Sequence, residues 1–138
     1  MILEGELGAG KTTLAQGIGA GLGVRGPVVS PTFIIARAHP STVGGPAMIH
    51  VDAYRLTSLS ELDDLDLDAS LDDAVTVVEW GRGMAEVLAE SRVEVRLDRR
   101  RGGEVSDAQE TGRRASIALV GPRWAGVDPA NLDPVNAP

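Results

Sequence analysis

The sequence predicts an α/β domain in three layers, with helices on both faces of a mixed, mainly parallel sheet. Three observations predict it. The stretch GELGAGKT (residues 5–12) fits the pattern G-x-x-x-x-G-K-[ST] and stands between an apolar strand end and a helical pattern. Short apolar runs such as VTVVEW alternate with helical segments along the 138 residues. The turn-rich stretch PSTVGGP separates two extended runs and predicts an antiparallel hairpin, which makes the sheet mixed. The architecture expected is that of a P-loop NTPase-like domain.

The elements follow in order. Residues 1–3 read as the end of a buried strand, and the glycine-rich loop comes next. Leu14, Ile18 and Leu22 recur every four residues and predict a helix over 12–22, stopped by Gly23. Gly17, Gly19 and Gly21 weaken that helix, so packing must hold it. Ser30-Pro31-Thr32 marks a loop, followed by a strand over 33–38, a turn over 40–46 and a second strand over 47–54. Leucines spaced among carboxylates between 58 and 73 predict one or two short helices. A buried strand over 75–80, a helix over 81–90 and strands over 93–97 and 115–120 complete the domain. Residues 1–120 are read as one domain, and 121–138 as a polar tail expected to be disordered beyond Val127.

Composition narrows the function. The length suits a single domain, and 43% hydrophobic residues with 3% aromatic ones predict an aliphatic core. Absence of cysteine excludes disulfides, thiolate metal sites and a cysteine nucleophile, and favours a reducing cytoplasm. No apolar run reaches the ~18 residues of a membrane span, so no membrane partner is expected. A formal charge of −7 argues against broad binding to nucleic acid. The one basic concentration, Arg99-Arg100-Arg101 with Arg113-Arg114, reads as a solvated connection or as a patch for RNA or an acidic partner.

Lys11 is the only lysine in the chain, and it stands at the P-loop position. Glycines at 5, 8 and 10 let successive amides turn inward as an anion nest, which makes Gly8, Ala9 and Gly10 candidate phosphate contacts. Lys11 is expected on the β- and γ-phosphates, the Thr12 hydroxyl on Mg²⁺ and Thr13 near the α-phosphate. A P-loop needs a carboxylate at the end of a neighbouring strand to hold the metal shell. Asp52 closes MIHVD and Glu79 closes VTVVE, so both are candidate metal residues, with capping carboxylates paired to an arginine such as Arg55 as the alternative. Thr32 offers a hydroxyl to Mg²⁺ or the γ-phosphate, or belongs to an ordinary Ser-Pro turn. His50 shares a strand face with Asp52 and reads as a hydrogen-bonding support. Trp80 covers a nucleotide or fills the core. Asp64, Asp66 and Asp68 imitate an EF-hand start, but Ala69 and Val75 stand where glycine and glutamate are needed, so calcium is rejected.

The ordered set GELGAGKTT, SPTF, HVDAYRL, an acidic leucine-rich stretch and VVEWG resembles the TsaE (YjeE) family over about residues 1–120. The resemblance implies a small Mg²⁺-dependent ATPase supporting threonylcarbamoyl modification of adenosine 37 in tRNA. It implies ATP and Mg²⁺ as cofactors, TsaB and TsaD as partners, and tRNA met indirectly through the complex. Lys11, Thr12 and Thr13 match the family's phosphate and metal residues, Thr32 its switch-like threonine, Asp52 its Walker B-type aspartate, and Glu79 its second acidic residue. On this basis Lys11, Asp52, Glu79 and Thr32 are the expected catalytic set. Gly81-Arg82-Gly83 departs from the proline or acidic residue that often follows EW in the family.

Two other readings of the loop remain open. A small-molecule kinase would need an arginine-bearing lid, and no such helix follows VVEWG; a non-hydrolysing nucleotide-binding module would not. A GTPase lacks its N-K-x-D. Family members usually carry some 25 residues before the P-loop, and the sequence reads as a domain with that front missing. An N-terminally extended chain is therefore expected to melt higher and bind ATP more tightly than residues 1–138. Equal thermal midpoints and equal ATP affinities for the two chains would contradict this.

Overall fold

A computed structural model describes residues 1–99 and 112–128. Six strands form one mixed sheet: β1 (Ile2–Gly5), β2 (Ala36–His39), β3 (Ala47–Asp52), β4 (Ala74–Glu79), β5 (Arg92–Arg99) and β6 (Arg113–Val120). They lie in the order β2-β3-β4-β1-β5-β6. β3, β4, β1 and β5 run parallel, while β2 and β6 pair antiparallel at the edges. The chain leaves β1 towards β3 and returns to its other side with β5, so strand order reverses at β1. A crevice outside the carboxyl ends of the strands is expected at such a reversal.

Successive residues of the central strands enter opposite cores, which is why their sequences read as unbroken apolar runs. Leu3, Met48, Val77, Val95 and Leu97 pack with Ala15 beneath α1 (Lys11–Leu22). Ile2, Val51 and Val78 pack on the other face with Leu62, Leu67 and Ala85. Those last three come from α2 (Leu59–Asp63) and from 3₁₀ turns at Leu67–Ser70 and Ala85–Leu88. Leu62 and Leu67 of the acidic stretch thus enter the core, while Leu59 and the carboxylates face water. Ser58 caps α2 by accepting from the Glu61 amide at 3.2 Å, and Glu61 accepts in return from the Thr57 amide at 2.6 Å.

Two elements differ from expectation. The strand expected from residue 33 begins only at Ala36, because the Ile34 and Ile35 amides both donate to the Pro31 carbonyl, at 2.9 and 2.6 Å. That turn leaves Ile35 at a φ of 69°. The helix expected over 81–90 shrinks to the 3₁₀ turn Ala85–Leu88, after Gly83 takes a φ of 80°. Beyond β6, Pro122–Trp124 form a further 3₁₀ turn. The expected tail disorder falls almost wholly on residues 129–138, and Arg100 and Arg101 also lie outside the described residues.

α1 ends in a Schellman arrangement: Gly23 sits at φ 64°, and the Val24 amide donates to the Gly19 carbonyl at 3.1 Å. Its glycines are not equivalent. A β-carbon on Gly19 would stand 2.8 Å from Val28 Cγ2 and 3.2 Å from Val24 Cγ2, whereas one on Gly17 would meet nothing within 4 Å. Gly17→Ala is therefore expected to stabilise the protein by about 0.5–1 kcal/mol. Gly19→Ala, despite the same gain in helix propensity, is expected to destabilise it by overpacking. Thermal melts of the two variants, moving in opposite directions, check this.

Candidate nucleotide site

The P-loop joins β1 to α1. Gly5, Gly8 and Gly10 take φ values of 148°, 76° and 109°, open to glycine and strained for other residues. A side chain at Gly5 would also strike the Leu97 carbonyl at 2.6 Å. Ala9 is buried, and its amide donates back to the Glu6 carbonyl at 3.0 Å, closing the loop. α1 has no side-chain N-cap: Gly10 occupies that position. The first amides of the helix are thus left for an anion, and the helix dipole favours one there.

Lys11 is buried, and its ammonium donates to the carbonyls of Gly5 at 2.7 Å and Glu6 at 3.0 Å. The same Nζ lies 3.8 Å from the centroid of the Trp80 ring. Burial pushes the Lys11 pKa below its ordinary value, and Glu79, Asp52 and Glu4 partly draw it back up. Trp80 reaches this place with a φ of 61°, and its ring stacks at a tilt on Tyr54, 5.1 Å between centroids. It is a half-buried cover for the lysine.

Asp52 and Glu79 close β3 and β4 and stand opposite each other in the parallel register. Both are buried, 5% and 3% exposed, which a charged group tolerates only with partners. Glu79 accepts from the Thr12 hydroxyl at 3.1 and 3.2 Å and bonds His50 Nε2 at 2.8 Å. Asp52 accepts from the hydroxyls of Ser30 at 3.1 Å and Thr32 at 3.0 Å, and from the Tyr54 amide at 3.0 Å. Its own amide donates to the Ile35 carbonyl at 2.8 Å, so the turn after Thr32 is tied to the strand end.

The structure therefore gathers Lys11, Thr12, Thr32, Asp52 and Glu79 at one end of the sheet, beside the loop of Gly8, Ala9 and Gly10. Thr13 is exposed and forms no side-chain hydrogen bond in this cluster. Arg55 does not pair with Asp52; its guanidinium lies 4.9 Å from the Phe33 ring. His50 is the expected support, but its partner is Glu79, a diagonal neighbour that only the strand register reveals. Ser30 is the residue that sequence reasoning left without a role; the signal available was its hydroxyl two positions before Thr32. A cleft of about 560 Å³ opens beside the loop, bounded by Glu4, Trp80, Arg82 and Arg99 among others.

Chemically, two buried carboxylates face one ammonium. The carboxylate and hydroxyl oxygens of Thr12, Thr32, Asp52 and Glu79 come together here, and hard oxygen ligands suit Mg²⁺, which commonly takes one or two carboxylates with phosphate and water. The donor set fits that ion next to a phosphate nest. Glu79→Gln keeps an acceptor for Thr12 and His50 while removing the charge opposite Asp52. It is expected to hold or raise the thermal midpoint of the metal-free protein. Glu79→Ala orphans the buried His50 nitrogen and is expected to cost about 1–3 kcal/mol. Denaturant unfolding of both variants against the parent checks the contrast.

Comparisons with known proteins show the family and the fold. The family model described as "Threonylcarbamoyl adenosine biosynthesis protein TsaE" matches residues 1–107. A Streptomyces coelicolor relative, named tRNA threonylcarbamoyladenosine biosynthesis protein TsaE, is 55% identical over 129 residues, 93% of this chain and 84% of its own. A Mycobacterium tuberculosis relative of the same name is 56% identical over 106 residues, 72% of this chain and 63% of its own length. The crystal structure of Bacillus subtilis YdiB superposes with a TM-score of 0.63 at 30% identity, covering 90% of this chain and 70% of that one. By sequence, fold and the placement of its P-loop, this chain belongs to the TsaE family.

Proposed function

We propose that the protein is a Mg²⁺-dependent ATPase that supports N6-threonylcarbamoyladenosine formation at position 37 of tRNA, acting in the cytoplasm with TsaB and TsaD. The observation that carries the ATPase reading is the Asp52–Glu79 couple beside Thr12 at the mouth of the P-loop. The biosynthetic role rests on the family and on the names of its relatives. No helix among the described residues is long and apolar enough to cross a membrane.

In this reading the amides of Gly8, Gly10 and Lys11 hold the phosphates, joined by that of Ala9 once it leaves the Glu6 carbonyl. Lys11 leaves the Gly5 and Glu6 carbonyls by a short swing to meet β- and γ-phosphate oxygens. Thr12, Asp52 and Glu79 are the residues that would hold Mg²⁺. The ion, when bound, neutralises charge that develops on the phosphoryl oxygens. Thr32 exchanges its hydrogen bond to Asp52 for a contact at the γ-phosphate end, and Ser30 goes with it because the two hydroxyls lie 2.8 Å apart. Phosphoryl transfer to water needs little covalent chemistry from the protein, so positioning and electrostatics carry the rate. The formal charge of −7 suits contact with tRNA through the partner proteins better than direct binding. The transfer to tRNA itself is assigned to TsaD, with ATP turnover resetting the complex between rounds.

Release of phosphate from MgATP, measured with and without TsaB and TsaD, tests the proposal. Slow turnover that rises with the partners is expected, with Lys11→Ala and Asp52→Ala each lowering it by about 100-fold or more. Turnover undetectable in both conditions, or unchanged in both variants, would overturn it.

A further inference from the structure

β5 ends at Arg99 and β6 begins at Arg113, and these two residues face each other in the antiparallel register. Like charges directly opposite on neighbouring strands repel. Two other arginines on β5 are matched: Arg92 Nε binds Glu94 at 2.7 Å and Arg96 Nε binds Asp98 at 3.1 Å. Among the described residues, neither Arg99 nor Arg113 has a carboxylate within ion-pair distance.

What the two guanidiniums lie against is the P-loop. A β-carbon on Gly8 would stand 3.4 Å from Arg99 Nη1, and one on Gly10 would stand 3.2 Å from Arg113 Nη1. Arg99 continues the row of Val95 and Leu97, which faces α1, and Arg113 shares that face as its cross-strand partner. Two cations with no ion pair among the described residues thus flank a loop whose amides favour an anion.

Their position along the sheet says which part of the anion they meet. Asp52 and Glu79 end strands on one side of β1, and β5 and β6 lie on its other side. A nucleotide whose metal-bearing end sits at the carboxylates extends from the loop towards β5 and β6. The geometry points to Arg99 and Arg113 as a clamp on the other half of the nucleotide, its α-phosphate and adjoining nucleoside. Guanidinium suits both parts, because its fork binds phosphate oxygens in pairs and its plane stacks on a base. This assignment rests on the ATP reading above and adds binding residues that the loop motif does not contain.

Calorimetric titration of the full chain with MgADP, alongside steady-state ATP turnover, tests it. Arg99→Ala and Arg113→Ala are each expected to weaken MgADP and MgATP equally, by about tenfold or more. The turnover rate at saturating ATP stays near that of the parent, so the loss appears in KM. The ligand-free thermal midpoint holds or rises as the repulsion is relieved, which also shows that the variants fold. Arg99→Lys, which keeps charge without the planar fork, recovers only part of the affinity. Unchanged MgADP affinity in both alanine variants, or a fall in turnover rate with MgADP affinity intact, would overturn the clamp. If Lys11→Ala abolishes MgADP binding while both arginine variants retain it, the clamp alone fails. If the parent protein binds no MgADP, the ATP reading fails with it.

Discussion

Two carboxylates, Asp52 and Glu79, stand opposite each other at the ends of neighbouring parallel strands, and the site is arranged around tolerating them. Buried charge is expensive without partners. Here each carboxylate has its own set: Thr12 and His50 for Glu79, Ser30, Thr32 and the Tyr54 amide for Asp52. Lys11 adds one positive charge, held by loop carbonyls and the Trp80 face. The pairing depends on the β3–β4 register, because a slip of one residue would turn one carboxylate to the opposite face. It also depends on α1 lying close to the sheet, which Gly19 permits by leaving room for Val28 and Met48. Fold and site share one constraint.

Much of this was legible in the sequence, for reasons that differ by residue. The P-loop reads from local spacing because its glycines, lysine and threonine stand within a few residues of one another. Asp52 and Glu79 were legible because a carboxylate ending an apolar run has few structural uses. The layers and the mixed sheet followed from apolar runs and the PSTVGGP turn. What stayed hidden depends on contacts between distant segments. The bond from His50 to Glu79 crosses two strands, and Lys11 on Trp80 spans 69 positions in the chain. The guanidiniums over Gly8 and Gly10 come from strands at the far end of the sequence. The late start of β2 and the short turn after Trp80 were missed because Pro31 and Gly83 set the local backbone against the apolar pattern around them.

Backbone strain is concentrated beside the same pair. Ile35 and Trp80, with φ of 69° and 61°, are two of the three non-glycine residues in the left-handed region among those described. One follows Thr32 by three positions and gives its carbonyl to the Asp52 amide; the other follows Glu79 directly. Such conformations persist where surrounding contacts over-determine them, and they recur at ligand clamps and switch regions. Under the proposed function they hold the γ-phosphate side in a poised arrangement, in which Ser30 and Thr32 occupy Asp52 until a metal-bound triphosphate competes for it. The exposed Phe33 and Ile34 then move with that turn.

Under the proposed function the carboxylate pair is a Mg²⁺ position coupled to the phosphate loop. The most direct test is the affinity for ATP with and without Mg²⁺, in the parent protein and in Asp52→Asn. Mg²⁺ is then expected to tighten ATP binding to the parent by about tenfold or more. Asp52→Asn is expected to remove most of that gain without weakening metal-free binding. An equal gain from Mg²⁺ in both proteins would contradict that reading.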